Sequence, residues 1–259
     1  MARHEFDADR YAAASTHQTE WGERLIAELD IAGDEHVLDI GCGDGRLTAQ
    51  IAQLVPRGRV LGIDASSGMI DAAKVNGAPN CDFRVLDAGQ LDMPGQFDLI
   101  FSNAALHWVK DHGRLLHATF DALRPGGVIR FNFAADGNCS HLIEVVRDLM
   151  ADPAHANGFD GFDWPWFMPS PEGYEALVRV HPFREASVWG ENADREFPSV
   201  EDMVRWIDQP SLVPFLSHLP DAARPPFRDA VVERMVARAG REDGTCFETF
   251  RRVNVLATK

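Results

Sequence analysis

Short apolar runs alternate with stretches of helical periodicity over the first half of the chain. The runs fall at roughly His36 to Ile40, Arg59 to Asp64, Cys81 to Leu86, Phe97 to Ser102 and Val128 to Phe133. Each has the length and composition of a buried strand. Between them, apolar residues recur at helix spacing at about 46–54, around Met69, Ile70 and Ala73, and at about 113–123. Pro56-Arg57-Gly58 ends the first of these helices, Ser66-Ser67 can cap the second, and Arg124-Pro125-Gly126-Gly127 stops the third. Trp21, Leu25, Ile26 and Leu29 place a further helix ahead of the first strand. Strands alternating with helices at this spacing predict an α/β fold with a parallel, doubly wound sheet.

Past Ala135 the alternation stops. Residues 136–180 read as helical and then aromatic, with five aromatic side chains between Gly158 and Phe167. Alternation returns at Glu185 to Trp189, helical stretches follow near 199–217 and 221–239, and Phe247 to Ala257 reads as a last strand. The expected organisation is a single domain over 1–259. It comprises an N-terminal helical lid (1–35), a core (36–135), a cap (136–182) and a completion of the sheet (183–259).

The junction of the first strand and helix carries the chemistry. Gly41-Cys42-Gly43-Asp44-Gly45 lets a ligand approach the backbone, because glycine has no Cβ and tolerates unusual φ/ψ. The dinucleotide fingerprint G-x-G-x-x-G needs glycine where Arg46 stands, and Asp44 would repel a pyrophosphate. A ligand with a cationic amino group has no such conflict. Asp64 ends the second strand, where α/β nucleotide folds grip ribose hydroxyls. The glycine loop, Asp64, Asp87 and Asn103 all fall at the carboxyl ends of strands of one sheet.

Composition narrows the partners. The formal net charge of −15 disfavours nucleic acid and an anionic membrane surface, while leaving an acidic small molecule open. Four widely spaced cysteines, Cys42, Cys81, Cys139 and Cys246, predict neither a disulfide framework nor a metal site and suit a cytoplasmic protein. The N-terminal residues carry no apolar signal region, and no apolar stretch approaches the roughly 20 residues of a membrane span.

The Leu38-Asp39-Ile40-Gly41-Cys42-Gly43-Asp44-Gly45 loop, Gly62-Ile63-Asp64, Ser67-Gly68-Met69 and Leu123-Arg124-Pro125-Gly126-Gly127 resemble class I S-adenosylmethionine (SAM)-dependent methyltransferases. Asn103-Ala104-Ala105-Leu106-His107-Trp108 is similar to the trans-aconitate methyltransferase group, and secondarily to malonyl-carrier-protein methyltransferases. The resemblance implies a Rossmann-like, mostly parallel seven-stranded sheet with a small helical cap, and SAM as cofactor. It implies that Gly41, Cys42 and Gly43 line the methionine half of SAM and that Asp64 holds the ribose beside Ala65. Met69 would pack on adenine, Asp87 would accept from its amino group beside Ala88, and Asn103 would sit by the sulfonium. Tyr11 and Gln18 would reach the carboxylate end, unless they are ordinary surface positions on that helix.

The expected activity is transfer of a methyl group to a carboxylate of a small organic acid. The alternatives are an acyl-carrier-bound or isoprenoid acid, or another small-molecule C-, N- or O-methylation. A carboxylate is already ionised at neutral pH and needs no base, whereas a phenol or amine does. His107 is the candidate base, or a donor that orients a substrate carboxylate, or a turn residue without chemistry. Trp108 can wall the acceptor pocket. Trp164, Trp166, Phe167 and Trp206 can either line that pocket or pack the cap. An apolar acceptor would suit this aromatic cap, and a polyacid would call for free cations. Arg179, Arg205, Arg251 and Arg252 are the cations available, and strand alternation puts Arg251 and Arg252 on opposite faces.

Overall fold

The computed structural model describes residues 16–259. Tyr11 lies outside them. Strands β1 (His36–Ile40), β2 (Arg59–Asp64), β3 (Cys81–Val85), β4 (Phe97–Asn103) and β5 (Leu123–Ala134) pair in parallel. Two antiparallel strands, β6 (Glu185–Asn192) and β9 (Arg251–Thr258), complete a seven-stranded sheet of order β3-β2-β1-β4-β5-β9-β6. The chain runs outward through β1, β2 and β3, then returns to lay β4 against β1. That reversal opens a crevice at the carboxyl ends of β1 and β4.

Burial on both faces explains the near-continuous apolar strands. Val37, Leu38, Ile100 and Phe101 are fully buried. Helix Arg46–Leu54 covers one face through Ile51 and Ala52, next to Trp21 and Leu25 of helix Thr16–Ala27. Helix His112–Ala122 covers the other through Leu115 and Leu116. Local signals set the starts: Ser66 Oγ accepts from Met69 N at 3.3 Å, and Asp111 Oδ1 accepts from Arg114 N at 2.9 Å.

Three features depart from the sequence reading. β5 begins at Leu123 rather than Val128. The Pro-Gly-Gly segment is an irregularity inside the strand, with Gly126 at φ +83° and a register shift against β4 between Phe97 and Leu99. Phe247 and Glu248 do not belong to the last strand. They lie in β8 (Cys246–Glu248), which forms a two-stranded ribbon with β7 (Arg195–Phe197). The break comes where Glu248 turns inward, accepting from the backbone N–H of His141 (3.2 Å), Leu142 (3.0 Å) and Thr249 (2.7 Å). Its carboxylate thereby caps helix Ser140–Ala151, whose own N-cap, Cys139, supplies no side-chain bond. The helical stretch near 199–217 is interrupted: helix Val200–Trp206 passes through a π-type turn, Ile207–Ser211, into helix Val213–His218. Gln209 leaves helical geometry there, and a two-toothed Arg228–Asp208 pair at 2.8 Å ties the turn to helix Arg224–Ala239. Among the described residues, no helix is long and apolar enough to cross a membrane.

Candidate active site

The loop after β1 uses its glycines differently. A Cβ on Gly41 would lie 2.1 Å from the Ala105 Cβ, and one on Gly45 would lie 2.9 Å from Ala73, so both permit close packing. A Cβ on Gly43, at φ +54°, would meet nothing within 4 Å. Gly43 therefore presents bare backbone to open space. The loop is pinned to the neighbouring strand: Gly41 N and Cys42 N donate to Ile63 O (2.8 and 3.1 Å), and Gly43 N donates to Asp64 Oδ2 (3.1 Å). Asp64 Oδ1 accepts from Ser66 N at 2.9 Å. One carboxylate thus links the glycine loop to the turn that starts helix Ser67–Asn76.

A cavity of about 600 Å³ opens beside this loop, well within the range of small-molecule sites. Gly41, Asp64, Ala65, Asp87, Ala88 and Trp108 share its wall. Asp87 is oriented by Gly89 N, which donates to its Oδ1 at 2.8 Å. Cys42 and Met69 are buried in the fold rather than on that wall. At the end of β4, Asn103 Nδ2 donates to the Gln18 carbonyl at 2.8 Å, which fixes the orientation of the amide. Asn103 Oδ1 and Gln18 Oε1 are then buried acceptors with no partner among the described residues. Two orphaned acceptors, a bare glycine backbone and a strand-end carboxylate fit SAM, whose ammonium and ribose hydroxyls are donors.

Asp39, behind the loop, is buried and accepts from Thr48 Oγ1 at 2.6 Å. Burial, aided by the charge of Asp64, raises its carboxyl to about 7. The folded state keeps a proton that the unfolded chain loses at its ordinary pKa of 3.8, so this stability is full below 3.8 and is lost as pH rises through about 7. Asp39→Asn removes the linkage. Its stability relative to the parent is expected to rise by about 1.4 kcal/mol per pH unit inside that window and level off above it. Urea unfolding at several pH values checks this, and a difference independent of pH would exclude it.

His107 sits in the turn Leu106–Trp108 that follows β4. The turn is held from both sides. His107 O accepts from Phe167 N at 2.8 Å, and His112 Nε2 donates to Leu106 O at 3.0 Å. That tautomer leaves His112 Nδ1 to accept from the Tyr174 hydroxyl at 2.9 Å. His107 Nδ1 is buried with no partner among the described residues. Burial, the positive charge of Arg252 and the neighbouring His112 drive the His107 pKa down to about 3. The imidazole is neutral at physiological pH and is too weak a base for the role the sequence left open to it.

The four candidate arginines separate. Arg179 pairs with Glu175, Arg205 with Asp202 and Arg251 with Asp194, all at exposed or rim positions. Arg252 points inward, bonded through Nε to Asn132 Oδ1 (2.7 Å) and through Nη2 to Asn132 O (3.2 Å), and lying 4.5 Å over the Trp21 ring. The aromatic candidates separate too. Trp108 lines the cavity, whereas Trp164 and Trp166 pack edge-to-face on each other and on Phe215. Phe167 lies against His112 at 4.5 Å, and Trp206 is buried against Phe197 and Phe250. Trp164, Trp166, Phe167 and Trp206 are absent from the cavity wall. Phe162, Pro165, Pro214 and Ser217, which the sequence did not single out, are on it. Phe162 and Pro165 lay within the aromatic run, but nothing in its composition says which rings face inward.

A sequence family described as a methyltransferase domain matches residues 37–127. The trans-aconitate 2-methyltransferase of Deinococcus radiodurans is 31% identical, with 99% of this chain and 96% of the relative covered. That of Acidovorax sp. (strain JS42) is 28% identical, with 99% of each covered. Among solved structures, a loganic acid methyltransferase with SAH superposes with a TM-score of 0.69 at 11% identity, covering 96% of this chain and 94% of the other. The Haemonchus contortus phosphoethanolamine N-methyltransferase 2 in complex with S-adenosyl-L-methionine gives 0.60 at 19% identity, covering 97% and 56%. These two structures share the fold. With a crevice suited to SAM and full-length similarity to named enzymes, the chain belongs to the SAM-dependent methyltransferase family that includes the trans-aconitate 2-methyltransferases.

Proposed function

We propose that the protein methylates a carboxylate oxygen of a small organic acid. The observation that carries this reading is the state of His107. It is the one titratable side chain in the turn beside the cavity, and it is held neutral and weakly basic. A nucleophile that must lose a proton would find no base in that turn; the imidazole on the cavity wall, His218, packs against Phe159 and Phe162. A carboxylate arrives ionised. The similar proteins from Deinococcus and Acidovorax, named for trans-aconitate, point to the same acceptor chemistry.

In this reading Asp64 accepts from the ribose hydroxyls and Asp87 from the adenine amino group, with Ala65 and Ala88 packing near the ring and Met69 behind the wall. Asn103 Oδ1 and Gln18 Oε1 accept from the ammonium, and the Gly41–Gly43 backbone lies along the methionine chain. Bound there, SAM supplies an electrophilic methyl: a carboxylate lone pair forms the O–C bond, the C–S pair leaves with sulfur, and no proton moves. The chain's own task is alignment in a dry site. His107 donates an N–H to the acceptor carboxylate, Arg252 adds positive potential behind it, and Trp108 closes the wall.

The test is transfer from methyl-labelled SAM to a panel of small acids headed by trans-aconitate, followed by mild base. Methyl esters release volatile labelled methanol, and this is the expected result. Label that is transferred but stable to base would sink the carboxylate reading.

A further inference from the structure

The acceptor side of the cavity has a chemistry of its own. The turn after β4, the cap and helix Val213–His218 contribute Trp108, Val109, Phe162, Pro165 and Pro214 to the wall. Val109 and Pro214 are buried, and Phe162 packs onto Phe215. None of these side chains offers an anion a charge, and only Trp108, through its indole N–H, carries a hydrogen-bond donor.

The charged groups on the wall point the same way. Asp64, Asp87 and Asp163 lie on it against a single ammonium, that of Lys110. Lys110 is engaged: its Nζ donates to Trp164 O and lies 3.4 Å from Asp163 Oδ1. Among the described residues, no arginine lines the cavity. Arg179, Arg205 and Arg251 hold carboxylates elsewhere, and Arg252 is bonded to Asn132. His107, in the turn that bears Trp108 but not itself on the wall, can meet one substrate carboxylate through an N–H. Two more would be stripped of water among tryptophan, phenylalanine and proline, within reach of like charges.

We infer that the acceptor is a monocarboxylic acid with an apolar body, aliphatic or aromatic, and that a tricarboxylate is a poor substrate. The inference rests on the carboxylate reading above and sharpens it. It separates this chain from the substrate in its relatives' names, which is consistent with a shared cofactor half and an acceptor half free to diverge.

Octanoate, cinnamate and trans-aconitate are compared with the full chain and methyl-labelled SAM, scoring base-released methanol. In parallel, calorimetry measures binding of the same acids with S-adenosylhomocysteine present. The better monoacid is expected to exceed trans-aconitate at least about tenfold in kcat/KM, and to bind about tenfold more tightly. Equal or better use and binding of trans-aconitate overturns the inference and leaves carboxyl methylation standing. Base-stable label overturns carboxyl methylation itself, and the inference with it. A variant probes the wall directly. Ser217 lies on the exposed rim, so Ser217→Arg adds a cation without disturbing the packed rings. It is expected to lower the KM for trans-aconitate about fivefold or more relative to that for octanoate. An unchanged KM for trans-aconitate would overturn the argument from missing cations.

Discussion

Asp64→Ala is expected to weaken S-adenosylhomocysteine binding about a hundredfold or more, through two losses that reinforce each other. The ribose loses a charged acceptor, and hydrogen bonds to charged groups are worth about 1.5–3 kcal/mol each. The glycine loop also loses its brace, because Gly43 N donates to one Asp64 oxygen and Ser66 N to the other. Asp64→Asn separates the two losses. It keeps an acceptor for one of these N–H groups but not the charge, and should fall between parent and alanine variant. Calorimetric titration reads both. Unchanged affinity in a folded Asp64→Ala protein would remove Asp64 from the cofactor site.

The second large effect falls on turnover. His107→Ala is expected to lower kcat/KM for the acceptor by about 10- to 150-fold, the worth of one hydrogen bond to a charged group, and to leave S-adenosylhomocysteine affinity within about twofold. His107→Gln keeps a side-chain N–H donor and should recover part of the loss, which a general base would not allow. The pH profile gives an independent reading. With the imidazole pKa at about 3, kcat at saturating cofactor should be flat through the region around 6.5 where an ordinary histidine titrates. A step near 6.5 that vanishes in His107→Ala would restore the base. The same depression bears on stability. His107 and His112, lowered to about 3 and about 4, are neutral when folded, so the stability they contribute above 6.5 is lost as pH falls through those values.

How much of this was legible in the sequence follows from the range of the forces involved. β1, β2 and helix Arg46–Leu54 lie at the residues read from apolar spacing, because both faces of those strands are buried and the local pattern is uninterrupted. The positions of the glycine loop and of Asp64 at a strand end were equally local. The irregular start of β5 was not, since a proline and two glycines signal a break without saying whether a strand resumes pairing before it. The β7–β8 ribbon escaped for a similar reason: Glu248 interrupts the last strand by capping a helix 107 positions earlier in the chain, at His141. Strand alternation foresaw that Arg251 and Arg252 would part, but only the packing of Trp21 and Asn132 decides which turns inward. The aromatic run was ambiguous because rings that line a cavity and rings that pack on each other look alike in sequence. His107 was found, but its protonation was not, because that depends on burial and on Arg252.

The place of β9 in the sheet has a consequence for the order of assembly. β9 lies between β5 and β6, and among the described residues β6 pairs only with β9, so β6 cannot join the sheet before β9 docks. The Asn132–Arg252 bond across this seam joins residues 120 positions apart, a large loop to close compared with the neighbouring β1–β2 pairing. Arg252 therefore reaches the surroundings of His107 only as the sheet is finished. Neither β1 nor β4 pairs with β6 or β9. On the proposed reading, a molecule caught midway through refolding would hold the methyl donor before its acceptor side is complete.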